Sequence, residues 1–89
     1  MTVVQKRSGE TVPFDAFKIY NAIKKAVAVT TEIDDAKIAE VTQAALDKID
    51  AKYDGKTPKV EEIQEIVIES LMDAHAYKTA EAYIIYRCA

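Results

Sequence analysis

The sequence has few of the residues that define several common classes of protein. Its 89 residues include one cysteine, one histidine, two glycines, two prolines and no tryptophan. The single cysteine, Cys88, excludes an internal disulfide, and the single histidine, His75, leaves no zinc-ligand set of the usual kind. No apolar run approaches the ~20 residues that cross a bilayer, and no signal peptide is visible. We therefore expect a cytoplasmic protein without a membrane partner.

The composition that remains is typical of a small folded domain. Hydrophobic residues make up 49% of the chain and charged residues 30%. This balance, with so little glycine and proline, predicts a compact and mostly helical domain rather than a disordered chain. A length of 89 residues predicts one domain, residues 1–89, with a core large enough to fold alone.

Charge is distributed unevenly along the chain. Residues 1–25 carry five cations and two carboxylates, a net charge of +3, and since the whole chain has −3 the remainder carries −6. Nonspecific binding to duplex nucleic acid requires many neutralised phosphates, so an acidic domain is a poor candidate for it. A single small anion held at the basic end is the better prediction.

The basic end has a distinctive order of residues. Residues 3–18 are interpreted as two extended segments that meet at Ser8-Gly9, followed by a helix start. Lys6 and Arg7 end the first segment, and Lys18 lies in the first turn of the helix. A helix N-terminus already favours anions, so a lysine there is locally unfavourable. Three cations at this place therefore predict an anion site, and we expect the anion to be a polyphosphate.

Hydrophobic periodicity predicts four helices, at residues 15–29, 34–52, 60–73 and 77–88. Asp15 and Asp34 are predicted N-caps, each between two apolar residues in hydrophobic-staple positions. Lys59 stands where a Ser or Thr cap would be expected. The acidic run of the third helix is interpreted as a solvated face that could also meet a magnesium ion. The predicted inward side of the last helix consists of Ala80, Tyr83, Ile84 and the stem of Arg87.

These elements predict an α+β fold that is mostly α, a four-helix bundle capped by a small N-terminal β-hairpin. A hairpin this short is not stable alone and must lie against the bundle. Residues 56–59 are expected to be extended, so they could add a third strand to the sheet.

Three segments resemble one known family in the same order and spacing. VVQKRSGETVPFDAFKI is similar to the start of the ATP-cone, and KVEEIQEIVIESLM and TAEAYIIYR are similar to its second half. The resemblance covers residues 3–87. It implies an allosteric regulatory module of ribonucleotide reductase, in which ATP favours the active enzyme and dATP favours inhibition. The nucleotide would lie between the hairpin lid and the bundle, with Mg²⁺ as an optional companion.

The resemblance also implies a set of binding residues. Lys6 and Arg7 of the lid and Lys18 of the first helix would meet phosphate, and Gln64 would face the nucleotide. The complete nucleotide-binding set implied by the family motifs is Val4, Gln5, Lys6, Arg7, Asp15, Lys18, Lys59, Val60, Gln64 and Arg87.

The expected parent is a reductase large subunit of which this chain is an amino-terminal fragment. The Pro-Phe-Asp form and the Tyr-Arg-Cys ending resemble the anaerobic, ribonucleoside-triphosphate-reducing class. The family's transcriptional repressor carries a zinc ribbon before its cone, and this sequence has no such cysteines. The expected partners are ATP or dATP and the catalytic domain of the parent, with nucleotide-dependent homo-oligomerisation as an option.

Two other classes of function compete with this interpretation. A nucleic-acid- or protein-interaction module could use the basic hairpin on phosphates or on an acidic partner, although the acidic remainder disfavours it. An ATP-hydrolysing enzyme would need a phosphate loop such as G-x-x-x-x-G-K-[ST], which the sequence lacks. We therefore expect the chain by itself to be regulatory and not an enzyme.

Overall fold

Two short strands precede four helices in a computed structural model, which describes residues 3–87. The strands are β1 (Val3–Gln5) and β2 (Thr11–Pro13), and the helices are α1 (Ala16–Thr30), α2 (Asp35–Lys52), α3 (Val60–Asp73) and α4 (Tyr77–Arg87). Helix α1 packs against α2 and α4, and α3 packs against the same two helices. This arrangement confirms the predicted α+β class. The predicted last residue of α4, Cys88, lies outside the described residues.

The first two helices begin as the sequence predicts. The carboxylate of Asp15 accepts a hydrogen bond from the Phe17 amide at 3.0 Å, and that of Asp34 accepts one from the Lys37 amide at 2.9 Å. Each bond satisfies a backbone donor that the first turn of a helix leaves free. Both aspartates are therefore N-caps, and both helix starts lie within one residue of the prediction.

Helix α3 begins without a side-chain cap at Lys59, because an ammonium group has no lone pair to offer. Its start is stabilised from inside the helix instead. The carboxylate of Glu62 accepts a hydrogen bond from the Lys59 amide at 2.9 Å, which is the reverse half of a capping box. The observed helix has the predicted bounds.

The core lies between the four helices and is built from the predicted apolar faces. Ile23 of α1, Ile49 of α2 and Val67 of α3 are fully buried. Helix α4 departs from its prediction, because Ile84 is 42% exposed and Arg87 is exposed, whereas Thr79 is completely buried. Thr79 is held inward by a hydrogen bond with Thr30 at 3.0 Å between the two hydroxyls. With Thr79 facing inward, α4 is rotated about its axis relative to the prediction. Because successive helical residues point about 100° apart, this rotation turns Ile84 towards solvent.

The hairpin lies against the bundle through Val4, which is buried in the common core. Strands β1 and β2 are antiparallel, with Val4 opposite Val12. The predicted third strand is wrong as stated, because residues 56–59 contribute a single parallel bridge between Gln5 and Lys59. The Gln5 amide donates to the Pro58 carbonyl at 2.9 Å. No ladder can extend from there, since proline has no amide hydrogen and the Lys59 amide is used by Glu62.

The start of α4 is capped by a residue that the sequence analysis did not single out. Glu32 accepts hydrogen bonds from the Thr79 amide and hydroxyl, each at 2.8 Å, and from the Lys78 amide at 3.3 Å. Burial alone would raise the pKa of Glu32, but these hydrogen bonds to its charged form outweigh burial and lower its pKa below the ordinary value. The α1–α2 connection is thereby attached to α4.

Among residues 3–87, no helix has both the length and the apolar character needed to span a membrane.

The Glu32 cap predicts a stability loss that depends on pH. Glu32→Gln should lower the free energy of unfolding at pH 7 by about 1 kcal/mol, as loss of a helix cap does. Because the folded-state pKa of Glu32 is depressed, its contribution is complete above the unfolded value of 4.5 and fades as pH falls through the folded pKa. Urea denaturation at pH 7 and at about pH 3 should therefore show a smaller difference between variant and wild type in acid. Glu81→Gln, on the exposed side of α4, is the control, and an equal loss in both variants would contradict the cap.

Candidate functional site

A cavity of about 330 Å³ lies between the hairpin and the bundle. Its walls come from both strands, the turn before α1, and helices α1, α3 and α4. This volume lies within the ~300–1,000 Å³ typical of pockets for small organic ligands. The hairpin is therefore a lid over a space large enough for such a ligand.

Three of the residues that line the cavity are cations. Lys6 follows β1, Lys18 lies in the first turn of α1, and Arg87 ends α4, and all three line the space. Asp15 is the carboxylate among the described lining residues, and it is already used as the cap that accepts from the Phe17 amide. A cavity lined by cations from three separate elements favours a ligand that carries an anionic group.

Most of the other lining residues are apolar, and of these the family motifs had implied only Val4 and Val60. The apolar lining residues are Val4, Val12, Pro13, Phe14, Ile19, Ala22, Val60, Ile63 and Tyr83. Helical spacing is the signal that could have found several of them. Tyr83 lies four residues before Arg87, and Ala22 lies four residues after Lys18, so each shares a helix face with a lining cation.

Seven of the ten residues implied by the family motifs line this cavity. They are Val4, Lys6, Asp15, Lys18, Val60, Gln64 and Arg87. Gln5, Arg7 and Lys59 are not among its lining residues, and each has a different position in the structure.

Gln5 and Lys59 meet at the edge of the lid. The Gln5 amide binds the Pro58 carbonyl, and the Gln5 side chain donates to the Gly9 carbonyl at 3.4 Å. Lys59 bridges to Gln5 through its backbone and presents an exposed side chain. Both residues therefore attach the lid to the loop before α3.

Arg7 is directed towards α3. Its Nε atom lies 3.3 Å from Oε1 of Glu61, and the two side chains are 63% and 42% exposed. Of the three cations predicted to surround the anion, Lys6 and Lys18 line the cavity and Arg7 does not, while Arg87 is a third lining cation. The acidic run of α3 is also less solvated than expected, because Glu61 and Glu62 are half-buried and hydrogen-bonded.

Gln64 connects two walls of the cavity. Its Nε2 atom donates to the Arg87 carbonyl at 3.3 Å, which joins the middle of α3 to the last residue of α4. The position of Arg87 thus depends on α3 as well as on its own helix.

Tyr53 and Glu62 stabilise the start of α3 beside the cavity. The Tyr53 hydroxyl donates to Oε2 of Glu62 at 2.7 Å, and this bond, followed by burial, raises the pKa of Tyr53 to about 12. The Lys59 amide and then the Tyr53 hydroxyl lower the pKa of Glu62, because both donate to its charged form. One carboxylate thus holds both the end of α2 and the first turn of α3.

A second depression, of about 500 Å³ and more open to solvent, lies at the start of α2. Three carboxylates, those of Glu32, Asp34 and Glu40, line it together with Lys37. It therefore does not suit an anion. Within the described part of the chain, no group of three or more His, Cys, Asp or Glu side chains could hold a metal ion.

Comparison with known proteins shows which family this sequence matches. The family model described as "ATP cone domain" matches residues 2–88. The chain is 34% identical to ribonucleoside-diphosphate reductase subunit alpha of Chlamydia muridarum, over 94% of this chain and 9% of that protein. It is 33% identical to anaerobic ribonucleoside-triphosphate reductase of Haemophilus influenzae, over 94% of this chain and 12% of that protein.

A third relative belongs to another kind of reductase. The chain is 38% identical to vitamin B12-dependent ribonucleoside-diphosphate reductase of Thermoplasma acidophilum, over 94% of this chain and 11% of that protein. The chain thus spans about a tenth of the length of these curated relatives. Because the three differ in kind at similar identity, an anaerobic parent stays a prediction.

The Tyr53–Glu62 hydrogen bond can be measured by alkaline titration. The difference in near-ultraviolet absorbance between wild type and Tyr53→Phe isolates one of the five tyrosines, and its midpoint should be about 12. Glu62→Gln should lower that midpoint, because the amide leaves no negative charge beside the phenolate. A midpoint at the ordinary value of 10 in the folded protein would contradict the hydrogen bond.

Proposed function

Because the chain belongs to the ATP-cone domain family, we propose that it is an allosteric nucleotide-binding module that distinguishes ATP from dATP and sets the overall activity of a ribonucleotide reductase. The observation that carries the proposal is the cavity beneath the lid, whose lining combines three cations with many apolar side chains. A nucleoside triphosphate has the matching combination of groups, a charged triphosphate and an aromatic base.

In the proposed complex, Lys6, Lys18 and Arg87 of the cavity and Arg7 of the lid turn meet the phosphates. Each contact is a charge-assisted hydrogen bond, which is stronger than one between neutral groups. The base lies against apolar lining residues such as Tyr83 and Phe14. Asp15, Val4, Val60 and Gln64 complete the lining set, while Gln5 and Lys59 act indirectly by holding the lid edge.

Mg²⁺ in this proposal arrives with the nucleotide. Phosphate oxygens and water satisfy most of its octahedral shell, so it needs few protein ligands. This agrees with the lack of a suitable side-chain cluster among residues 3–87.

The proposed module is regulatory and not catalytic. It would act on the catalytic domain of a longer cytoplasmic chain, because the reductases it resembles are about ten times its length. Nucleotide binding would change either the contact between this module and the catalytic domain or the oligomeric state of the parent reductase. The coupling is reciprocal: if one state of the parent reductase binds dATP more tightly than another, dATP binding must shift the parent towards that state.

The alternative is a module that uses the hairpin to bind nucleic acid or an acidic protein. Its basic residues would then need to face outward together. Lys6 instead lines the cavity and Arg7 is paired with Glu61, so the arrangement supports the nucleotide proposal better.

Calorimetric titration of the 89-residue chain with ATP and with dATP tests the proposal. Both nucleotides should bind the wild type, and Lys6→Ala and Lys18→Ala should each weaken binding by about tenfold, the usual value of one charge-assisted hydrogen bond. Lys25→Ala, on the solvated side of α1, is the matched control and should have little effect. Absence of nucleotide binding, with salt-sensitive binding of DNA, would favour the alternative.

A charge-neutral substitution tests whether the cavity itself is the site. Ala22 is buried at 6% exposure and lines the cavity, so Ala22→Leu should fill part of the space and weaken ATP binding by about tenfold or more, because the added atoms occupy volume that the ligand needs. Ala28→Leu, on the exposed side of the same helix, is the control. Circular dichroism should show both variants folded. Unchanged affinity in a folded Ala22→Leu variant would move the ligand to another place.

A further inference from the structure

Resting on the proposed function, we propose that Glu61 competes with the nucleotide for Arg7. The ion pair between them would hold the lid turn on α3 in the nucleotide-free protein, and a triphosphate would have to take the guanidinium from the carboxylate as it binds. Glu61 would then set the affinity of the site without touching the ligand. It is a positioning residue that acts through Arg7.

The turn that carries Arg7 is internally ordered. The Lys6 amide donates to the Glu10 carbonyl at 2.8 Å, and the Gly9 amide donates to the Lys6 carbonyl at 2.9 Å. Gly9 adopts a φ of 89°, which glycine tolerates without strain. The turn therefore moves as a unit, so a contact made by Arg7 restrains the neighbouring Lys6 as well.

The position of Glu61 makes it a persistent partner for Arg7. It lies in the first turn of α3, where the free backbone amides favour a negative charge. It also follows Val60 and precedes Gln64 by three residues, and both of those residues line the cavity. The guanidinium is thus held beside the cavity, although 54 residues separate Arg7 from Glu61 in the chain.

The exposure of the pair decides how strongly it competes. Both side chains are more than a third exposed, so water and salt weaken their attraction. Exposed ion pairs of this kind change an equilibrium by about two- to fivefold. A triphosphate offers several oxygens to the guanidinium, where Glu61 offers one carboxylate, so the nucleotide should win the competition.

Titration with ATP of a set of variants tests the competition. Glu61→Gln should tighten ATP binding by about two- to fivefold, because Arg7 is released in advance. Glu65→Gln removes the same charge one helical turn further along the exposed side of α3, and it should change the affinity less. In the Arg7→Ala background, Glu61→Gln should have no more effect than Glu65→Gln.

This cycle separates competition from simple repulsion between a carboxylate and phosphate. Equal tightening by Glu61→Gln with and without Arg7 would mean that Glu61 acts only through its charge, and it would overturn the proposal. Weaker ATP binding by Glu61→Gln would also overturn it, since Glu61 would then orient Arg7 towards the phosphates.

A measurement without nucleotide makes failure of this inference distinct from failure of the proposed function. Amide hydrogen exchange at Lys6 and Gly9 should be about two- to fivefold faster in Glu61→Gln than in wild type, and unchanged in Glu65→Gln. Unchanged exchange in Glu61→Gln would overturn the restraint whatever the nucleotide does. Faster exchange in a protein that binds no nucleotide would refute the proposed function and the competition, and would leave only a structural tie.

Discussion

The hairpin is too short to be stable alone, so the cavity beneath it exists only because the helical bundle holds the hairpin in position. Two strands of three residues make too few hydrogen bonds and bury too little surface to be stable alone. Val4 inserts into the common core on one side, and the Gln5 amide binds the Pro58 carbonyl at the edge. The pair between Arg7 and Glu61 attaches the lid turn to α3 as well. With these attachments the lid lies over α1, α3 and α4 and leaves the cavity between them.

The acidic excess of the chain is largely used for structure, and this leaves the cavity cationic. Glu32 caps α4 and Glu62 holds the start of α3. On the far side of the bundle, Lys48 of α2 lies 3.1 Å from Glu69 and 2.7 Å from Asp73 of α3. These carboxylates are paired with helix amides or with Lys48, which does not line the cavity. They therefore do not neutralise the three cations under the lid. A chain with net charge −3 can therefore present a basic site.

Local patterns predicted the helices well because each depends on neighbours in the sequence. The starts at Asp15 and Asp34 follow from side chains that reach amides two or three residues away. Helix α4 was harder, because apolar residues occur on more than one of its sides and periodicity alone did not select its buried face. The contacts of Thr79 with Thr30 and Glu32 rotate it so that Ile84 is exposed. Those partners are nearly 50 residues distant in the chain, so no local pattern contains them.

The cations near the cavity show the same difference between features that short sequence spacing determines and features that long-range packing determines. The sequence by itself determined the helix starts to within one residue, the turn at Ser8-Gly9, and the presence of Lys6, Arg7 and Lys18 near the hairpin, since these depend on residue type and short spacing. Only the tertiary structure decided which cations line the cavity, because neighbouring residues of a turn point in different directions. Lys6 turns into the cavity, whereas Arg7 meets Glu61 of α3, and Arg87 arrives from the far end of the chain. Long-range packing sets these directions, and the sequence carries them only through the fold as a whole.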